Sequence, residues 1–265
     1  MCALTFVKYF RDTTLAMGDL LYGIHPLCEA LSAGRRKIQR IYVSKGRGTK
    51  GIQALLGGAR DRGVPVEYKA PDYFRSRLGD FVHQGVAAEV GKLALADEHI
   101  ILKKAETDGE LPLILALDGI EDPQNLGSLV RTALGMGFHG VVFPKVRIAP
   151  LSPAVSKASA GAMEHMLFAR VSNLVGALER FKKDGLWIVG AHGDSAQAVD
   201  QVDFNMGLVL VVGGEGKGIR PLVRKTCDYL VSVPQKKTVD SLNAAVAGAI
   251  VMYEIVRQRQ RREAS

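Results

Sequence analysis

Three short segments in the second half of the chain combine polar side chains and glycines at spacings that could build a small-molecule site. The first, LDGIEDPQNLGSLVRTALGMG (residues 117–137), runs from the end of a strand through a polar turn into a helix. Asn125 can cap this helix, and Arg131 follows six residues later among apolar neighbours. An arginine in a cleft can bind a phosphate or polarise a hydroxyl. Taken alone, this segment fits an ordinary cap and a solvated arginine better.

The second segment is a strand that runs directly into a glycine-rich loop, LVLVVGGEGKGIRPLV (residues 208–223). Glycine occupies four of the six positions 213–218, more than a tight turn needs, and it lets the backbone approach a ligand closely. Glu215 is the carboxylate of this loop. A P-loop is excluded because glycine follows Lys217, and the dinucleotide fingerprint is absent because Ile219 stands where its last glycine should be. We therefore expect a different kind of small-molecule site.

The third segment, LVSVPQKKTVDSLNAAVAGAIVMYEIVRQR (residues 230–259), ends a strand at Pro234, continues as a basic loop and enters a long helix. Ser241 can cap this helix, with Asn243 in its first turn. Small residues over positions 244–249 allow close helix packing. Alone, this segment fits an ordinary packed helix equally well.

Together and in this order, the three segments resemble the three motifs of the SpoU (TrmH) family of RNA 2′-O-methyltransferases, within the SPOUT superfamily. The matching residues, motif by motif, are Asn125, Gly127 and Arg131; the loop 213–218 with Glu215; and Ser241, Leu242 and Asn243. Each motif is weak by itself. Their combined order and spacing carry the resemblance.

The resemblance implies an α/β fold. Its catalytic domain, residues 111–265, would be a parallel sheet whose C-terminal segment forms a trefoil knot, a rare exception to the normal rules of chain connection. Loops around 213–218 and 233–243 would hold the methyl donor S-adenosyl-L-methionine (AdoMet). The family is also typically homodimeric, with the active site near the subunit interface.

The family motifs imply roles for individual residues. Those implied for catalysis are Arg131, Asn125, Glu215, Ser241 and Asn243. Those implied for donor binding are Gly213, Val233, Leu242, Gly214, Gly218 and Asn243. No metal is implied. Because arginine almost never loses its proton, with a pKa above about 12, we interpret Arg131 as stabilising the developing alkoxide, with the substrate phosphate as proton acceptor.

The chain departs from the family pattern in the loop before the third motif. Gln235, Lys236 and Lys237 stand where Pro-Met and a glycine are usual, and Ala244-Ala245 replaces a common Val-Ser. A donor pocket of altered shape and lysines that contact RNA are both consistent with this change. Since Arg131, Glu215 and Asn243 are all present, we predict an active enzyme.

The elements that must position these residues follow from the apolar pattern. From residue 112 onward, short apolar runs (LILAL, VVF, WIVGA, LVLVV and LVSV) indicate strands covered on both faces. The helices predicted around them are Asn125–Met136, Pro153–Ala162, Ser172–Lys183, Arg220–Thr226 and Ser241–Arg262. This pattern predicts an open α/β domain with ligand sites at the C-terminal ends of the strands.

The first half of the chain predicts a small α/β domain over residues 19–91. Its strands are predicted at IQRIYV (38–43), at Val64–Tyr68 and at Val86–Val90, with helices at His25–Ser32, Gly51–Arg62 and Pro71–Leu78. Residues 92–110 are predicted as a linker with a short strand at Ile100–Leu102. A second methionine, Met17, precedes the first well-patterned segment, so we expect residues 1–18 to be an extension or a misassigned start.

Two further stretches bear on the substrate. LYGIHPLCEAL, from Leu21, resembles the start of the substrate-binding domain in family members that modify guanosine in large-subunit (23S) ribosomal RNA, the RlmB group. VSKASAGAMEH (155–165) is also similar to a segment of these members. We therefore expect ribosomal RNA as the substrate, and the first domain as the part that binds it.

Composition is consistent with an RNA partner. The 265 residues are 47% hydrophobic, with a formal net charge of +8 and a pI near 9.4, which favours an anionic partner. The cluster GRRKIQR makes Arg35, Arg36, Lys37 and Arg40 candidate phosphate contacts, although a solvated turn fits equally well. Three scattered cysteines favour neither zinc nor disulfides and point to the cytoplasm. No apolar run predicts a membrane span.

Two alternatives of different kinds stay open at this point. A transfer RNA 2′-O-methyltransferase would use the same chemistry on another RNA. A non-catalytic ribosome assembly factor would bind RNA without binding AdoMet, and the altered loop 235–237 is the feature that supports it. A nucleotide-dependent dehydrogenase is poorly supported because the dinucleotide fingerprint is missing.

Overall fold

A computed structural model describes residues 19–46, 48–236 and 241–263. The described residues up to Ala94, together with Pro150–His165, form a first unit, and Leu95–Ala149 with the residues from Met166 onward form a second. The predicted extension at residues 1–18 and Lys237 lie outside the described residues.

The first unit is built on a sheet whose order is β1-β4-β2-β3, with β2 and β3 parallel and the other pairs antiparallel. Its strands are β1 (Asp19–Tyr22), β2 (Ile38–Ser44), β3 (Val66–Lys69) and β4 (Val86–Val90). Its first three helices are α1 (Ile24–Ala33), α2 (Lys50–Asp61) and α3 (Pro71–Leu78). The helices predicted for this half are confirmed, as are the three strands; β1 was not predicted.

The two faces of this sheet bury different side chains. Leu27 and Leu31 of α1 and Leu55 of α2 pack against Ile41 and Val43 on one face. Phe74 and Leu78 of α3 cover Tyr22 and Tyr42 on the other. Alternation of side chains along β2 therefore supplies both cores.

The remaining elements belong mostly to the second unit. The strands are β5 (Leu113–Asp118), β6 (Gly140–Pro144), β7 (Phe168–Val171), β8 (Trp187–Ala191), β9 (Leu208–Gly213) and β10 (Tyr229–Val231). The helices are α4 (Glu98–Asp108), α5 (Pro123–Gly135), α6 (Pro153–Ala158), α7 (Leu174–Lys183), α8 (Pro221–Thr226) and α9 (Ala244–Glu263). Of these, α6 lies in the first unit.

In the second unit, the described strands form a six-stranded parallel sheet in the order β10-β8-β9-β5-β6-β7. One face, with Ile114, Val209 and Val211, packs against side chains of α4, α7 and α8 such as Ile101 and Phe181. The other face carries α9, which packs along α5. The predicted parallel α/β architecture is confirmed; the trefoil knot stays a prediction.

Several predicted boundaries are wrong, for local reasons. Ile100–Leu102 is not a strand in a linker but part of α4, where Ile101 is fully buried in the core. α6 ends at Ala158 rather than Ala162, and a 3-10 turn follows at Ala162–Glu164. β7 was missed because it is only four residues long, and Arg170 interrupts its apolar pattern.

Candidate active site

The predicted site residues meet where the order of the parallel sheet reverses. β5 and β9 are neighbours, and they end side by side at Asp118 and Gly213. The turn after β5 leads into α5, and the glycine loop follows β9. Ligand sites of open α/β sheets lie at such a switch point, outside the carboxyl ends of the strands.

The start of α5 is set by Asp122 and not by the predicted cap Asn125. The Asp122 carboxylate accepts a hydrogen bond from the backbone N–H of Asn125 at 2.9 Å, and Pro123 occupies the first helical position. Asn125 therefore lies in the first helical turn, and its side-chain amide is available for contacts outside the helix.

The start of α9 is set by Asn243 and not by the predicted cap Ser241. Oδ1 of Asn243 accepts hydrogen bonds from the backbone N–H groups of Ala245 (2.9 Å) and Val246 (3.2 Å). Since these bonds occupy the carbonyl end of the amide, its Nδ2 group must point away from the helix. The helix cap thereby fixes which atoms of Asn243 face the site.

Three side chains from three motifs form one hydrogen-bond network. Asn125 donates from Nδ2 to Oε1 of Glu215 (3.0 Å), and Asn243 donates from Nδ2 to the same oxygen (2.6 Å) and to Oδ1 of Asn125 (2.8 Å). These residues are 28 to 118 positions apart in sequence. The network joins the start of α5, the glycine loop and the start of α9.

The glycine loop approaches neighbouring backbone too closely for side chains at two positions. A Cβ on Gly213 would lie 2.2 Å from the carbonyl carbon of Gly218, and one on Gly214 would lie 2.0 Å from the carbonyl oxygen of Gly119. Backbone atoms cannot move aside as a flexible side chain can. Glycine at 213 and 214 is therefore a steric requirement of the loop.

A cavity of about 690 Å³, which we call the donor cavity, lies beside this network. Its lining includes every residue predicted to bind the donor: Gly213, Gly214, Gly218, Val233, Leu242 and Asn243. Ser241 and Gln235 line it as well. Its volume is within the range of about 300–1,000 Å³ typical of small-molecule sites.

The donor cavity also contains residues that the sequence analysis missed. His192, Gly193 and Asp194 follow β8, the strand next to β9, and line the cavity. Nδ1 of His192 accepts a hydrogen bond from the backbone N–H of Asp194 (3.2 Å). Their position directly after the predicted strand WIVGA could have identified them in the sequence, because neighbouring parallel strands end at the same edge of the sheet.

Comparison with known proteins assigns this arrangement to a family. The profile described as the SpoU rRNA Methylase family matches residues 112–253, and that of RNA 2′-O ribose methyltransferase substrate binding matches residues 20–96. The chain belongs to the SpoU rRNA methylase family. It is thus an AdoMet-dependent RNA 2′-O-methyltransferase, as its three motifs predicted.

Relatives match this SpoU chain along most of its length. RlmB of Pseudomonas putida, a 23S rRNA (guanosine-2′-O-)-methyltransferase, is 39% identical over 91% of this chain and 97% of its own. YacO of Bacillus subtilis, assigned to the TrmH family, is 39% identical over 91% of this chain and 96% of its own. The AdoMet complex of the SpoU methyltransferase AviRb from Streptomyces viridochromogenes superposes with a TM-score of 0.77 at 25% identity, covering 91% of this chain and 90% of that one.

The residues of this SpoU enzyme fit AdoMet in the donor cavity. Backbone N–H and C=O groups of Gly213, Val233 and Leu242 can bind the adenosine portion, because the glycine loop brings backbone to the cavity surface. Asp194 adds a carboxylate that can accept hydrogen bonds from sugar hydroxyls. Lys236 does not line the cavity, and Lys237 lies outside the described residues.

Arg131 stands apart from the other motif residues within one chain. It is exposed on α5 and, among the described residues, makes no hydrogen bond or ion pair. In the single chain, the side chains of Asn125 and Glu215 bind each other and Asn243 instead. Arg131 follows Ser128 by three residues, so both lie on the same side of the helix.

The predicted RNA contacts in the first unit divide into two pairs. Arg36 is buried in an ion pair with Glu164, in which Nε and Oε2 are 2.8 Å apart and both side chains are 1% exposed. Arg35 donates to the backbone oxygens of Glu164 and Ala94. Arg36 is thus a structural residue, which corrects its prediction as an RNA contact.

Lys37 and Arg40 are exposed, as RNA contacts must be. Arg40 forms an ion pair with Glu67, so a phosphate would have to compete with that carboxylate. Lys37 and Arg40 therefore stay predictions as RNA contacts.

No helix among the described residues is both long enough and apolar enough to cross a bilayer.

Proposed function

We propose that this enzyme methylates the ribose 2′-hydroxyl of a guanosine in 23S ribosomal RNA. The observation that carries the chemistry is the network of Asn125, Glu215 and Asn243 beside the donor cavity. The choice of RNA is supported by the 39% identity to a 23S rRNA guanosine methyltransferase along 91% of the chain. The substrate-binding profile over residues 20–96 supports the first unit as the part that binds RNA.

A ribose hydroxyl is a poor nucleophile, so orientation is the main task of the protein and can contribute about 7–11 kcal/mol. When bound, AdoMet supplies an activated methyl group. The network of Asn125, Glu215 and Asn243 holds the amide and carboxylate groups that position the ribose. Arg131 stabilises the negative charge that develops on the attacking oxygen, and a substrate phosphate accepts the proton.

We further propose that the active enzyme is a homodimer whose interface covers α5 and α9. Apolar side chains of this surface are exposed in the single chain: Leu134 (36%), Val246 (48%), Ile250 (37%) and Tyr253 (56%). Val246, Ile250 and Tyr253 line one groove together with residues of α5, and an exposed apolar patch of this kind is typical of protein interfaces. A second copy of the chain would cover it, and would place Arg131 of α5 near a subunit boundary.

The proposed compartment is the cytoplasm. Within the described part of the chain, Cys28 and Cys227 are free thiols, which is typical of a reducing environment. Ribosomal RNA as the substrate agrees with that location.

The proposal is tested by methyl transfer from radiolabelled AdoMet to unmodified 23S ribosomal RNA and, separately, to transfer RNA. Label is expected in 23S RNA, at a ribose of guanosine after nuclease digestion. The Arg131→Ala enzyme should lose about 100- to 1,000-fold in turnover and keep its affinity for AdoMet. Label confined to transfer RNA would overturn the choice of RNA, and RNA binding without AdoMet binding would favour an assembly factor.

A further inference from the structure

A second cavity, of about 550 Å³, adjoins the glycine loop and the turn after β5. Gly214, Glu215, Lys217 and Gly218 line both this cavity and the donor cavity, so the loop is their common wall. Asn125 of the network also lines the second cavity. The Asn125–Glu215 hydrogen bond is therefore accessible from a space that the donor cavity does not fill.

We propose that this second cavity binds the target nucleotide, and that Arg147 holds a phosphate of its RNA backbone. This proposal rests on the proposed function and adds an acceptor site to it. Transfer of a methyl group needs the attacking oxygen on the side of the methyl away from the sulfur. The two cavities share the residues around Glu215, so a donor in one and an acceptor in the other would meet at this loop.

Arg147 is an exposed cation that has no partner among the described residues and is therefore available to bind a ligand. It lies in the loop after β6, lines the cavity, is exposed, and makes no ion pair or hydrogen bond within the described residues. Its φ is +59°, a left-handed backbone conformation that is uncommon for a residue with a Cβ. Such strain persists where the surrounding structure enforces it, and it concentrates at functional sites.

The carboxylates of this cavity are largely engaged by protein donors. Asp118 is buried and accepts from Nε (2.6 Å) and the backbone N–H (2.8 Å) of Arg220, so the charges of these two residues offset each other. Asp122 caps α5, and Glu215 accepts from two amides. Glu121 is exposed and has no such partner among the described residues.

Among the described residues that line this cavity, Arg147 and Lys217 are the cations without a carboxylate partner, and Glu121 is the carboxylate without a protein donor. A guanidinium binds phosphate in two parallel hydrogen bonds, which favours Arg147 as the main contact. Lys217 also lines the donor cavity, so its substitution would disturb both ligands. Arg147 does not line the donor cavity, and this difference makes it the informative position to change.

The decisive variant is Arg147→Gly, because glycine adopts a positive φ without strain. We expect a melting temperature equal to or above that of the wild type, together with a 10- to 100-fold lower kcat/KM at limiting 23S RNA, the size of one lost charge-assisted contact. AdoMet affinity should not change. The slope of log affinity for RNA against log salt should fall by about one.

Two matched variants separate the phosphate contact from other effects. Lys145→Ala removes an exposed cation of the same loop that does not line the cavity, and should leave kcat/KM unchanged. Glu121→Gln removes the opposing charge and should tighten RNA binding. Equal RNA affinity and equal salt slope in wild type and Arg147→Gly would overturn the inference.

Failure of the acceptor site is distinguishable from failure of the proposed function. An enzyme that methylates 23S RNA equally well with and without Arg147 has the function but not this site. An enzyme that transfers no methyl group fails the function. Its RNA affinity, measured by filter binding with the 23S transcript, still decides whether Arg147 contacts a phosphate.

Discussion

Asn243 donates from Nδ2 to Oε1 of Glu215 over 2.6 Å while its own Oδ1 caps α9. One amide thus joins the architecture of the C-terminal helix to the polar network of the active site. Because the cap fixes the orientation of the amide, the two donors of Asn243 are presented to Glu215 and Asn125 before any substrate binds. Such preorganisation is the main way in which a protein lowers a barrier of this kind.

The two tasks of Asn243 can be separated by substitution. Asn243→Ser keeps a side-chain cap and loses the donors to Glu215, so we expect near wild-type stability with a large loss of methyl transfer. Asn243→Ala loses both, and should also lower the free energy of unfolding of α9 by about 1 kcal/mol. Hydrogen exchange at residues 244–248 and single-turnover methylation measure the two effects. Full activity of Asn243→Ser would show that the network is dispensable.

Steric limits in the glycine loop give a sharp contrast between neighbouring glycines. Gly214→Ala places a Cβ 2.0 Å from the carbonyl oxygen of Gly119, so the loop must move, and we expect loss of AdoMet binding and a destabilisation of about 1–3 kcal/mol. Gly216→Ala meets no atom within 4 Å and carries only the strain of a positive φ. Calorimetric titration with AdoMet should therefore rank wild type, Gly216→Ala and Gly214→Ala in that order. Equal affinities for the two variants would contradict this account.

His139 should make stability depend on pH. Its ring is 2% exposed, and Nδ1 of the neutral ring can accept from the backbone N–H of Leu113 (3.0 Å). Burial lowers its pKa, while a hydrogen bond from the protonated ring to the Leu113 carbonyl oxygen and the charge of nearby Glu110 oppose that effect. The unfolded chain takes up a proton near pH 6.5 while the folded chain does not. The contribution of His139 to stability is thus fully present above about pH 6.5 and is lost as pH falls through the lowered pKa.

The control for this pH effect is His139→Asn, whose Oδ1 can accept the same N–H but cannot titrate. Unfolding free energies measured in urea between pH 5 and pH 7.5 should fall less steeply for this variant than for the wild type. Parallel curves for the two proteins would show that His139 is not the titrating group.

The buried Arg36–Glu164 ion pair should stabilise the segment Pro150–His165, so breaking the pair should destabilise this segment. Both side chains of the Arg36–Glu164 pair are 1% exposed, and Ser156 donates to Glu164 at 2.8 Å. Burial raises the pKa of Glu164, while Arg36 opposes that rise. Arg36→Met leaves a buried carboxylate unpaired, which costs about 3–5 kcal/mol.

Amide hydrogen exchange at residues 156–164 is the measurement of choice, because a chain with two units need not unfold in one step. The exchange rate should rise strongly in Arg36→Met. In the double variant Arg36→Met with Glu164→Met, it should fall back close to the wild-type rate. Unchanged exchange in the single variant would mean that the pair does not hold this segment. The variant should leave the salt dependence of RNA binding unchanged, because Arg36 is not exposed.

The proposed homodimer is tested by a charge on α9. Ile250→Glu should halve the molar mass measured by light scattering, because a carboxylate would be buried in the proposed interface. Leu222→Glu changes a side chain that is 70% exposed on α8, and should leave the mass at the wild-type value. A wild-type protein that is monomeric at micromolar concentration would contradict the proposal.

The sequence by itself determined the elements with strong apolar periods and the identity of the three motifs. The strands β5, β6, β8 and β9 are continuous apolar runs, and a run buried on both faces has few alternatives to a central parallel strand. Motif order and spacing indicated the family. Every donor-binding residue predicted from the motifs lines one cavity, because glycine and polar residues directly after such strands must meet at one edge of the sheet.

Only the tertiary structure decided which polar residues cap helices, which arginines are buried and which residues meet. Asp122 and Asn243 displaced the predicted caps because several polar residues at each helix start could serve, and packing selects among them. Arg36 could not be read as buried, since its partner Glu164 is 128 positions away. The partners of Glu215 were equally undetermined, because Asn125 and Asn243 are 90 and 28 positions away from it. Contacts over such distances depend on three-dimensional packing, and no local pattern encodes them.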